Sequence, residues 1–273
     1  MKKVAVLLTC YNRKEYTVRA ISKLNSGNPG LDLRFVVTDD ASDDGTAEAL
    51  EQLGVKLHLI RGNGHFFWGG GMRSSIDYAL KSAEKIDYAL FINDDVDFFD
   101  GAVQQMVKRL EDNSADAVVG ATVDDKGEIS YGGVRKDSKF FVRLSHIKPS
   151  KEPIVCDTFN CNAVLIKADV FSEMGNLDSV YKHSMGDYDY GMGMRKRGYT
   201  IINTSDYIGK CNGNPIENTW LDSKLPKKER LRKKESTKGL PRGDWFHFVC
   251  KNYNFFAAVY HSMTPYVKIL FGK

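Results

Sequence analysis

Acidic side chains directly follow an apolar stretch in the first half of this sequence. The apolar run 89–92 leads into the segment 93–97, which holds Asp94, Asp95 and Asp97. Carboxylates crowded together repel one another unless a cation lies among them, and hard divalent cations such as Mg²⁺ and Mn²⁺ prefer oxygen ligands. The segment therefore indicates a divalent-metal site, and a solvated acidic turn is the alternative interpretation.

The elements that must position these carboxylates alternate between strand and helix. Apolar runs that predict buried strands occupy residues 4–9, 33–38, 55–60 and 89–92. Helices are predicted between them, at about 14–24, 47–53 and 72–83. This alternation predicts βαβ units and a parallel, right-handed, doubly wound sheet.

Polar residues follow three of these strands. Parallel strands present their ligand-binding residues at their carboxyl ends, so these residues are expected to meet at one edge of the sheet. They are Thr9 and Tyr11, Asp39 and Asp40, and Asp94 and Asp95. Their convergence favours the metal site over the solvated turn.

The second half of the sequence has a different pattern. After a predicted helix at 102–110, short strands with turn residues between them indicate antiparallel pairing, at 117–122, 129–131 and 140–144. The pattern ends with a strand at 159–166, helices at 167–174 and 192–197, and a strand at 199–204. We predict one α/β domain over residues 1–207 and a C-terminal appendage over residues 208–273.

Composition limits the classes to which this chain can belong. Hydrophobic residues make up 42% and charged residues 27%, which is typical of a soluble globular protein. Five widely spaced cysteines without a Cys-x-x-Cys pair argue against a disulfide framework and a structural zinc site. Since the sequence shows neither a signal peptide nor an apolar run of about 18 residues, we expect a cytoplasmic protein.

Four short motifs occur in a particular order. They are Val-Ala-Val-Leu-Leu-Thr-Cys-Tyr-Asn-Arg at 4–13, Val-Val-Thr-Asp-Asp-Ala-Ser-Asp-Asp-Gly-Thr at 36–46, Phe-Ile-Asn-Asp-Asp-Val at 91–96 and Gly-Asp-Tyr-Asp-Tyr-Gly at 186–191. Together they resemble the family 2 glycosyltransferases of the GT-A fold, over about residues 3–205. The resemblance implies a Rossmann-like, mostly parallel sheet with a smaller antiparallel part on the acceptor side, and a C-terminal helical appendage here.

The resemblance also implies a role for the first three motifs. Thr9, Tyr11 and Asp40 would hold the nucleotide base of a sugar donor. The acidic pair after the fourth strand, often named the DxD motif, would bind the ribose and a divalent metal, Mn²⁺ or Mg²⁺. In this sequence that pair is Asp94 and Asp95.

The glycine-rich segment 62–71 is predicted as a loop that approaches the donor through bare backbone. The N-terminus of the helix after it would help to hold phosphate. It is not a Walker A loop, because no Gly-Lys-Ser/Thr follows. For Trp68, stacking on a sugar or acceptor and packing in the core are both open. Arg13 and Gly70 are predicted to bind the nucleotide-sugar donor, and Arg61 and Arg73 are candidates for contact with its diphosphate. For Arg73, a solvated helix face is the favoured alternative.

By the same resemblance, Asp187 in the last motif would be the catalytic base. Sugar transfer needs such a carboxylate, because the acceptor hydroxyl must lose its proton as it attacks. A purely structural role as a helix N-cap is the alternative. Asp189 could share either role and is predicted on the acceptor side.

The sequence departs from the family at two places. Gly186 stands where many relatives have Glu, and the segment 209–214 lacks the late His that some relatives supply as a metal or diphosphate ligand. Whether Asp97, His183 or Asn212 joins the metal site is open.

The tail after residue 208 is basic and then aromatic. Between residues 224 and 238 there are eight Lys or Arg against two Glu. The aromatic residues that follow are Trp245, Phe246, Phe248, Tyr253, Phe255, Phe256, Tyr260 and Tyr266. Two interpretations are open: a helix at the surface of an anionic membrane, or one that covers the domain or forms a dimer interface.

The sequence therefore predicts an inverting, metal-dependent glycosyltransferase. The donor would be a nucleotide-diphospho-sugar of UDP or dTDP, and the acceptor a saccharide or lipid-linked saccharide in bacterial surface polysaccharide biosynthesis. The protein would be cytoplasmic or peripheral on the inner face of the membrane. The alternatives are a nucleotidyltransferase and a non-catalytic sugar-nucleotide-binding or assembly subunit. Nucleic acid is not an expected partner, because the basic block is local.

Overall fold

Within residues 1–272, which the computed structural model describes, nine strands form one sheet. Four of them are parallel: β1 (Lys2–Cys10), β2 (Leu31–Asp39), β3 (Leu57–Arg61) and β4 (Tyr88–Ile92). Their spatial order is β3-β2-β1-β4. Leu7 and Leu8 lie in different apolar clusters, because successive residues of a strand face opposite sides and both sides of β1 are covered.

Helices connect these four strands, as the sequence predicts. They are α1 (Lys14–Gly27), α2 (Thr46–Glu51) and α3 (Phe67–Lys81). The carboxylate of Asp44 accepts hydrogen bonds from the backbone N–H groups of Lys14 at 3.0 Å and Thr46 at 3.0 Å. One acidic side chain therefore caps the first turns of both α1 and α2.

The glycines at 69–71 lie inside α3, so the predicted glycine loop is wrong for these residues. A β-carbon on Gly71 would overlap the side chain of Thr9, and one on Gly69 would overlap the backbone carbonyl of Tyr181. Glycine here permits the close approach of a helix to its neighbours rather than a flexible turn. The irregular segment before α3 is limited to residues 62–66.

The remaining strands are, in chain order, β5 (Asp97–Phe98), β6 (Ala117–Val123), β7 (Ile129–Tyr131), β8 (Gly133–Lys136), β9 (Leu144–His146), β10 (Thr158–Phe159), β11 (Ala163–Lys167) and β12 (Ile201–Lys210). β11 is antiparallel to both β4 and β6, and it joins the parallel half of the sheet to β6, β12 and β5. β10, β8 and β9 form a small antiparallel sheet. The predicted mostly parallel sheet with a smaller antiparallel part is confirmed.

The strand predicted at 159–166 is interrupted by a turn between β10 and β11. Asn160 and Asn162 lie in this turn, and their amide nitrogens donate to groups outside the sheets. Asn160 Nδ2 donates to the Tyr188 hydroxyl at 3.0 Å, and Asn162 Nδ2 donates to Cys211 Sγ at 3.6 Å. The polar side chains therefore mark a break in the strand that the apolar pattern conceals.

Six further helices lie in the second part of residues 1–272. They are α4 (Ala102–Asp112), α5 (Ala168–Met174), α6 (Gly186–Lys196), α7 (Lys227–Glu235), α8 (Arg242–Asn252) and α9 (Phe255–Phe271). The predicted domain boundary at residue 207 falls within β12, which continues to Lys210. The part of the chain that the structure describes contains no helix that is both long and apolar enough to cross a membrane.

The inner sides of α8 and α9 cover part of the domain. Phe248 and Ala258 are fully buried in a cluster that also contains Tyr181 and Met192. On α7, the buried Lys234 donates a hydrogen bond to the Tyr266 hydroxyl of α9 at 3.0 Å. The C-terminal helices therefore form one layer that is attached to the domain through α6 and the segment before it.

Candidate active site

A cleft of about 480 Å³ lies at the carboxyl ends of β1, β2 and β4. It is the edge of the sheet at which the polar residues after β1, β2 and β4 were expected to meet. The predicted site residues that line it are Thr9, Tyr11, Arg13, Asp40, Trp68, Asp94, Asp95 and Asp187. The structure therefore brings together residues that are as much as 178 positions apart in the sequence (from Thr9 to Asp187).

Asp40 holds the segment between β3 and α3. Its carboxylate accepts hydrogen bonds from the backbone N–H groups of Gly64 at 2.8 Å, Phe66 at 2.9 Å and Phe67 at 3.0 Å. A carboxylate has about four acceptor positions, so one remains for a ligand such as a nucleotide base. Asp40 both shapes one wall of the cleft and lines it.

Asp94 and Asp95 form an ion-paired cluster with Arg13. Arg13 Nη1 lies 3.4 Å from Asp94 Oδ1, and Arg13 Nη2 lies 3.6 Å from Asp95 Oδ2. Thr17 Oγ1 donates to Asp94 Oδ2 at 3.1 Å. Burial raises the pKa of Asp94 to about 6, although Arg13 lowers it and Asp95 raises it further. Some of the positive charge among these carboxylates thus comes from the protein itself.

The two carboxylates nevertheless fit a divalent metal that is shared with a ligand. Asp95 Oδ1 is buried and lacks a hydrogen-bond partner among residues 1–272, which is costly for a carboxylate oxygen. The described residues contain no group of three or more His, Cys, Asp or Glu that could hold a metal alone. Mg²⁺ is commonly held by one or two carboxylates together with substrate phosphates, and this donor set matches that arrangement.

Asp187 lies in the first turn of α6 and faces the cleft. Its Oδ1 accepts from the backbone N–H of Tyr188 at 2.8 Å, and its Oδ2 accepts from the N–H of Cys161 at 3.4 Å. It forms no ion pair within residues 1–272. Burial raises the pKa of Asp187 to about 6, and the backbone hydrogen bonds only partly oppose this rise. The N-cap position of α6 belongs to Met185 rather than to Asp187.

Four predicted site residues do not line the cleft. Arg61 contacts Asp39 at 3.3 Å and Glu51 at 3.4 Å. Arg73 donates to the Tyr181 carbonyl at 2.8 Å, so it holds the chain before α6. The other two are Gly70, which lies within α3, and Asp189, which binds α8.

Two residues whose place in the metal site the sequence leaves open also have partners elsewhere. Asp97 forms an ion pair with Lys23 at 2.5 Å, and Asn212 Nδ2 donates to Asp125 at 2.6 Å. Neither lines the cleft. By contrast His183 does, and burial together with Lys238 lowers its pKa.

Trp68 is placed both to contact a ligand and to pack in the core, the two roles that the sequence leaves open. It lines the cleft and is also packed against the apolar cluster beneath the sheet. Its indole Nε1 donates to Asn93 Oδ1 at 2.9 Å. The ring is therefore held in one orientation next to the acidic segment that begins at Asn93.

Sequence reasoning missed several residues that line the cleft: Asn93, Tyr131, Asn160, Asn162, Tyr188, Asn214 and Lys238. Asn160 and Asn162 carry a detectable signal, because two amides interrupt an otherwise apolar run. Lys238 carries none, since it is one of many basic residues between 224 and 238. Only the packing of the C-terminal helices places it at the cleft.

Comparisons with known proteins agree with this architecture. The sequence model of glycosyl transferase family 2 matches residues 5–170. A mannosyltransferase, PcManGT from Pyrobaculum calidifontis in complex with GDP-Man and Mn²⁺, superposes with a TM-score of 0.57 at 14% identity, over 98% of this chain and 70% of its own. S. aureus TarS 1–349 in complex with UDP superposes with a TM-score of 0.60 at 13% identity, over 99% and 75%.

The fold is therefore the GT-A fold of glycosyltransferases, and the chain belongs to glycosyl transferase family 2. An uncharacterised protein, MJ0544 from Methanocaldococcus jannaschii, is 26% identical over 118 residues. That match covers 42% of this chain and 49% of the relative, about half of its length. Family membership supports the transfer of a sugar from a nucleotide-sugar donor.

Proposed function

We propose that this chain is an inverting, metal-dependent glycosyltransferase that transfers a sugar from a nucleotide-diphospho-sugar to a saccharide or lipid-linked saccharide. The observation that carries the proposal is the position of Asp187. It lies in the same cleft as Asp94 and Asp95 but forms no ion pair within the described chain. One set of carboxylates can thus face the donor phosphates while a separate carboxylate faces the acceptor.

The donor side of the proposal uses the carboxyl ends of β1, β2 and β4. Thr9, Tyr11 and Asp40 would contact the nucleotide base, and Asp94 and Asp95 would hold the metal on the diphosphate. When bound, such a metal neutralises the charge that builds on the leaving diphosphate. Arg13 is placed to add positive charge at the same position, since its guanidinium already lies beside both aspartates.

The acceptor side uses Asp187. Its carboxylate would take the proton of the acceptor hydroxyl as the hydroxyl oxygen bonds to the anomeric carbon and the bond from that carbon to the diphosphate breaks. Attack from the side opposite the leaving group inverts the anomeric configuration without a protein nucleophile. A pKa of about 6 keeps Asp187 deprotonated at neutral pH yet more basic than an ordinary aspartate.

The finer identity of the reaction belongs to the same proposal. The structural neighbours carry GDP-Man with Mn²⁺ in one case and UDP in the other. For this chain we propose UDP or dTDP as the nucleotide, surface polysaccharide biosynthesis as the context and the cytoplasm or the inner membrane face as the location. We also propose residues 208–273 as an appendage to the catalytic domain.

Calorimetric titration with UDP, dTDP, GDP and CDP, each with Mn²⁺ and again with EDTA, tests the donor side. We expect one nucleotide to bind with Mn²⁺ and to bind much more weakly in EDTA. Asp95→Asn should remove most of this metal dependence, because it replaces a metal ligand. Asp97→Asn is the matched control, since that carboxylate pairs with Lys23 away from the cleft and its loss should leave binding unchanged.

Two results would count against the donor side of the proposal. If no nucleotide binds in a metal-dependent way, Asp94 and Asp95 do not form a metal-dependent donor site. If Asp95→Asn and Asp97→Asn weaken binding equally, the effect is one of general negative charge rather than of metal coordination.

A further inference from the structure

The outer side of α9 is a continuous apolar surface. On a helix with 3.6 residues per turn, its exposed apolar residues fall on about half of the circumference. They are between 41% and 83% exposed: Phe255, Phe256, Val259, Tyr260, Met263, Val267, Leu270 and Phe271. The sequence of α9 contains neither Asp nor Glu. This is a much larger apolar stripe than the scattered exposed residues of an ordinary surface.

A loop from the small antiparallel sheet extends this stripe. Phe140 and Phe141, between β8 and β9, are 70% and 53% exposed. The ring of Phe141 lies edge-on to Tyr260, with 5.6 Å between the ring centroids. The backbone N–H of Val142 donates to His261 Nε2 at 3.0 Å, which holds the loop against α9. We call Phe140, Phe141 and the eight exposed apolar residues of α9 the α9 surface.

Basic side chains border the α9 surface at several places. Lys139 and Arg143 flank the two phenylalanines of the loop, and Lys268 lies on α9 itself; all three are exposed and without an ion pair within residues 1–272. Lys227 of α7 reaches the end of the stripe, where its Nζ donates to the Leu270 carbonyl at 2.7 Å. The border therefore carries positive charge that the described chain does not neutralise.

We propose that the α9 surface docks on an anionic lipid bilayer, with α9 lying in the plane of the membrane. Apolar and aromatic side chains would enter the boundary between headgroups and acyl chains, while the bordering lysines and arginines would contact anionic headgroups. With 17 residues, α9 is about 25 Å long, enough for a broad contact along the surface. The proposal concerns binding alone and does not depend on glycosyl transfer.

Charge favours a membrane over a second copy of this chain as the occupant. An isologous dimer places the same patch of both subunits face to face. Here that arrangement would bring two basic borders together without acidic partners on α9, and like charges across an interface are costly. An anionic membrane has the opposite charge, and each Lys or Arg near it contributes about 1 kcal/mol.

Co-sedimentation of the full chain with vesicles tests the proposal. We expect binding to vesicles of equal parts phosphatidylcholine and phosphatidylglycerol, much weaker binding to phosphatidylcholine alone, and loss of binding as salt is raised. Phe256→Asp and Met263→Asp should each weaken binding about tenfold or more, because each puts a charge on the apolar stripe. Both residues are exposed, so folding should be retained, and circular dichroism checks this.

Val155→Asp is the matched control. Val155 is 47% exposed, lies outside the α9 surface and gives the same change in net charge. It should therefore leave vesicle binding close to that of the unchanged chain. The double variant Lys139→Ser/Arg143→Ser should weaken binding to anionic vesicles but hardly change the weak binding to phosphatidylcholine.

Three outcomes would overturn the proposal. The first is that the chain does not bind anionic vesicles, and the second is that Val155→Asp weakens binding as much as Met263→Asp does. The third is that light scattering shows a lipid-free dimer that Met263→Asp converts to a monomer, because the α9 surface would then be a protein interface. A lipid-free monomer that binds anionic vesicles through Phe256 and Met263 would support the proposal.

Discussion

Asp187 and Asp189 are two carboxylates on one helix, two residues apart, and they have different surroundings. Residues at this spacing on a helix point to nearly opposite sides. Asp187 faces the cleft and accepts hydrogen bonds from the backbone N–H groups of Tyr188 and Cys161 and from the Asn160 side chain. Asp189 faces α8, where Lys251 Nζ lies 2.7 Å from its Oδ2 and Asn252 Nδ2 lies 2.7 Å from its Oδ1.

The partner of a carboxylate, rather than the motif in which it lies, decides what that carboxylate can do. Asp189 is 5% exposed, and its charge is compensated by a lysine, so it serves to attach the C-terminal layer. Asp187 has no such compensation in the described chain, and burial raises its pKa to about 6. A carboxylate of that kind is costly for stability but suited to accept a proton.

Asp187→Asn should have the largest effect. We expect kcat to fall on the order of 10²–10⁴-fold, because the acceptor hydroxyl loses its proton acceptor, while nucleotide binding stays unchanged. At pH 7 the free energy of unfolding should rise by about 1–3 kcal/mol, because a charged carboxylate with a raised pKa is removed. Steady-state kinetics, calorimetry and denaturant unfolding measure these three quantities.

Retained turnover in this variant would show that another group is the base. Loss of turnover together with loss of nucleotide binding would instead show that Asp187 shapes the donor site. If the free energy of unfolding falls rather than rises, the hydrogen bonds of the Asp187 carboxylate stabilise the fold by more than its burial costs.

Asp189→Asn makes the same chemical change two residues away and should act on stability instead. It removes the negative charge that faces Lys251, so the free energy of unfolding should fall by about 1–3 kcal/mol. We place the loss below that of a fully buried pair, because the Lys251 side chain is 41% exposed. Denaturant unfolding measures the loss, and kcat per folded molecule should be kept. A variant that folds normally but no longer turns over would show that Asp189 also takes part in the reaction.

The pH dependence of kcat should give a smaller and more gradual effect. Below a pKa of about 6, Asp187 is protonated, and kcat should fall about tenfold for each further pH unit. Metal must be saturating in this measurement, because the pKa of Asp94 is also raised to about 6. The kcat of Asp189→Asn should fall over the same acidic pH range as that of the unchanged chain. If kcat instead falls only near pH 4, burial does not raise the pKa of the base.

The raised pKa of Asp187 also makes the free energy of unfolding depend on pH. The unfolded value is 3.8 and the folded value is about 6, so the folded state binds more protons between these values. The contribution of Asp187 to the free energy of unfolding should therefore fall as pH rises from 4 to 6. Asp187→Asn should make this dependence weaker, because it removes the one proton that Asp187 takes up in the folded state over this pH range.

Much of the site was predictable because its positions follow from local patterns. Apolar runs predict β1, β2 and β4, and a parallel sheet gathers the residues at their carboxyl ends, so Thr9, Asp40 and Asp94 were expected together. The glycines at 69–71 were wrongly predicted as part of a loop. Composition alone cannot distinguish a glycine needed for a turn from one, such as Gly71, that lets a helix pack against Thr9.

The residues predicted less well are those whose partners are remote in sequence. Arg61 and Arg73 are typical phosphate-binding residues, yet Arg61 is paired with acids and Arg73 with the backbone carbonyl of Tyr181. Lys238 lines the cleft, although nothing in the sequence distinguishes it from the neighbouring Lys and Arg residues. Such contacts depend on how segments dock, which a local pattern does not encode.

Local sequence patterns were sufficient to predict the parallel strands, the edge at which their polar residues meet and the kinds of ligand that carboxylates there can hold. Which carboxylates stay available depends on the packing of segments that are remote in the sequence. Lys251 and Asn252 reach α6 because α8 packs on it, and they occupy Asp189 rather than Asp187. The physical reason is that a strand or helix pattern arises from near neighbours, whereas charge compensation depends on groups brought close by packing.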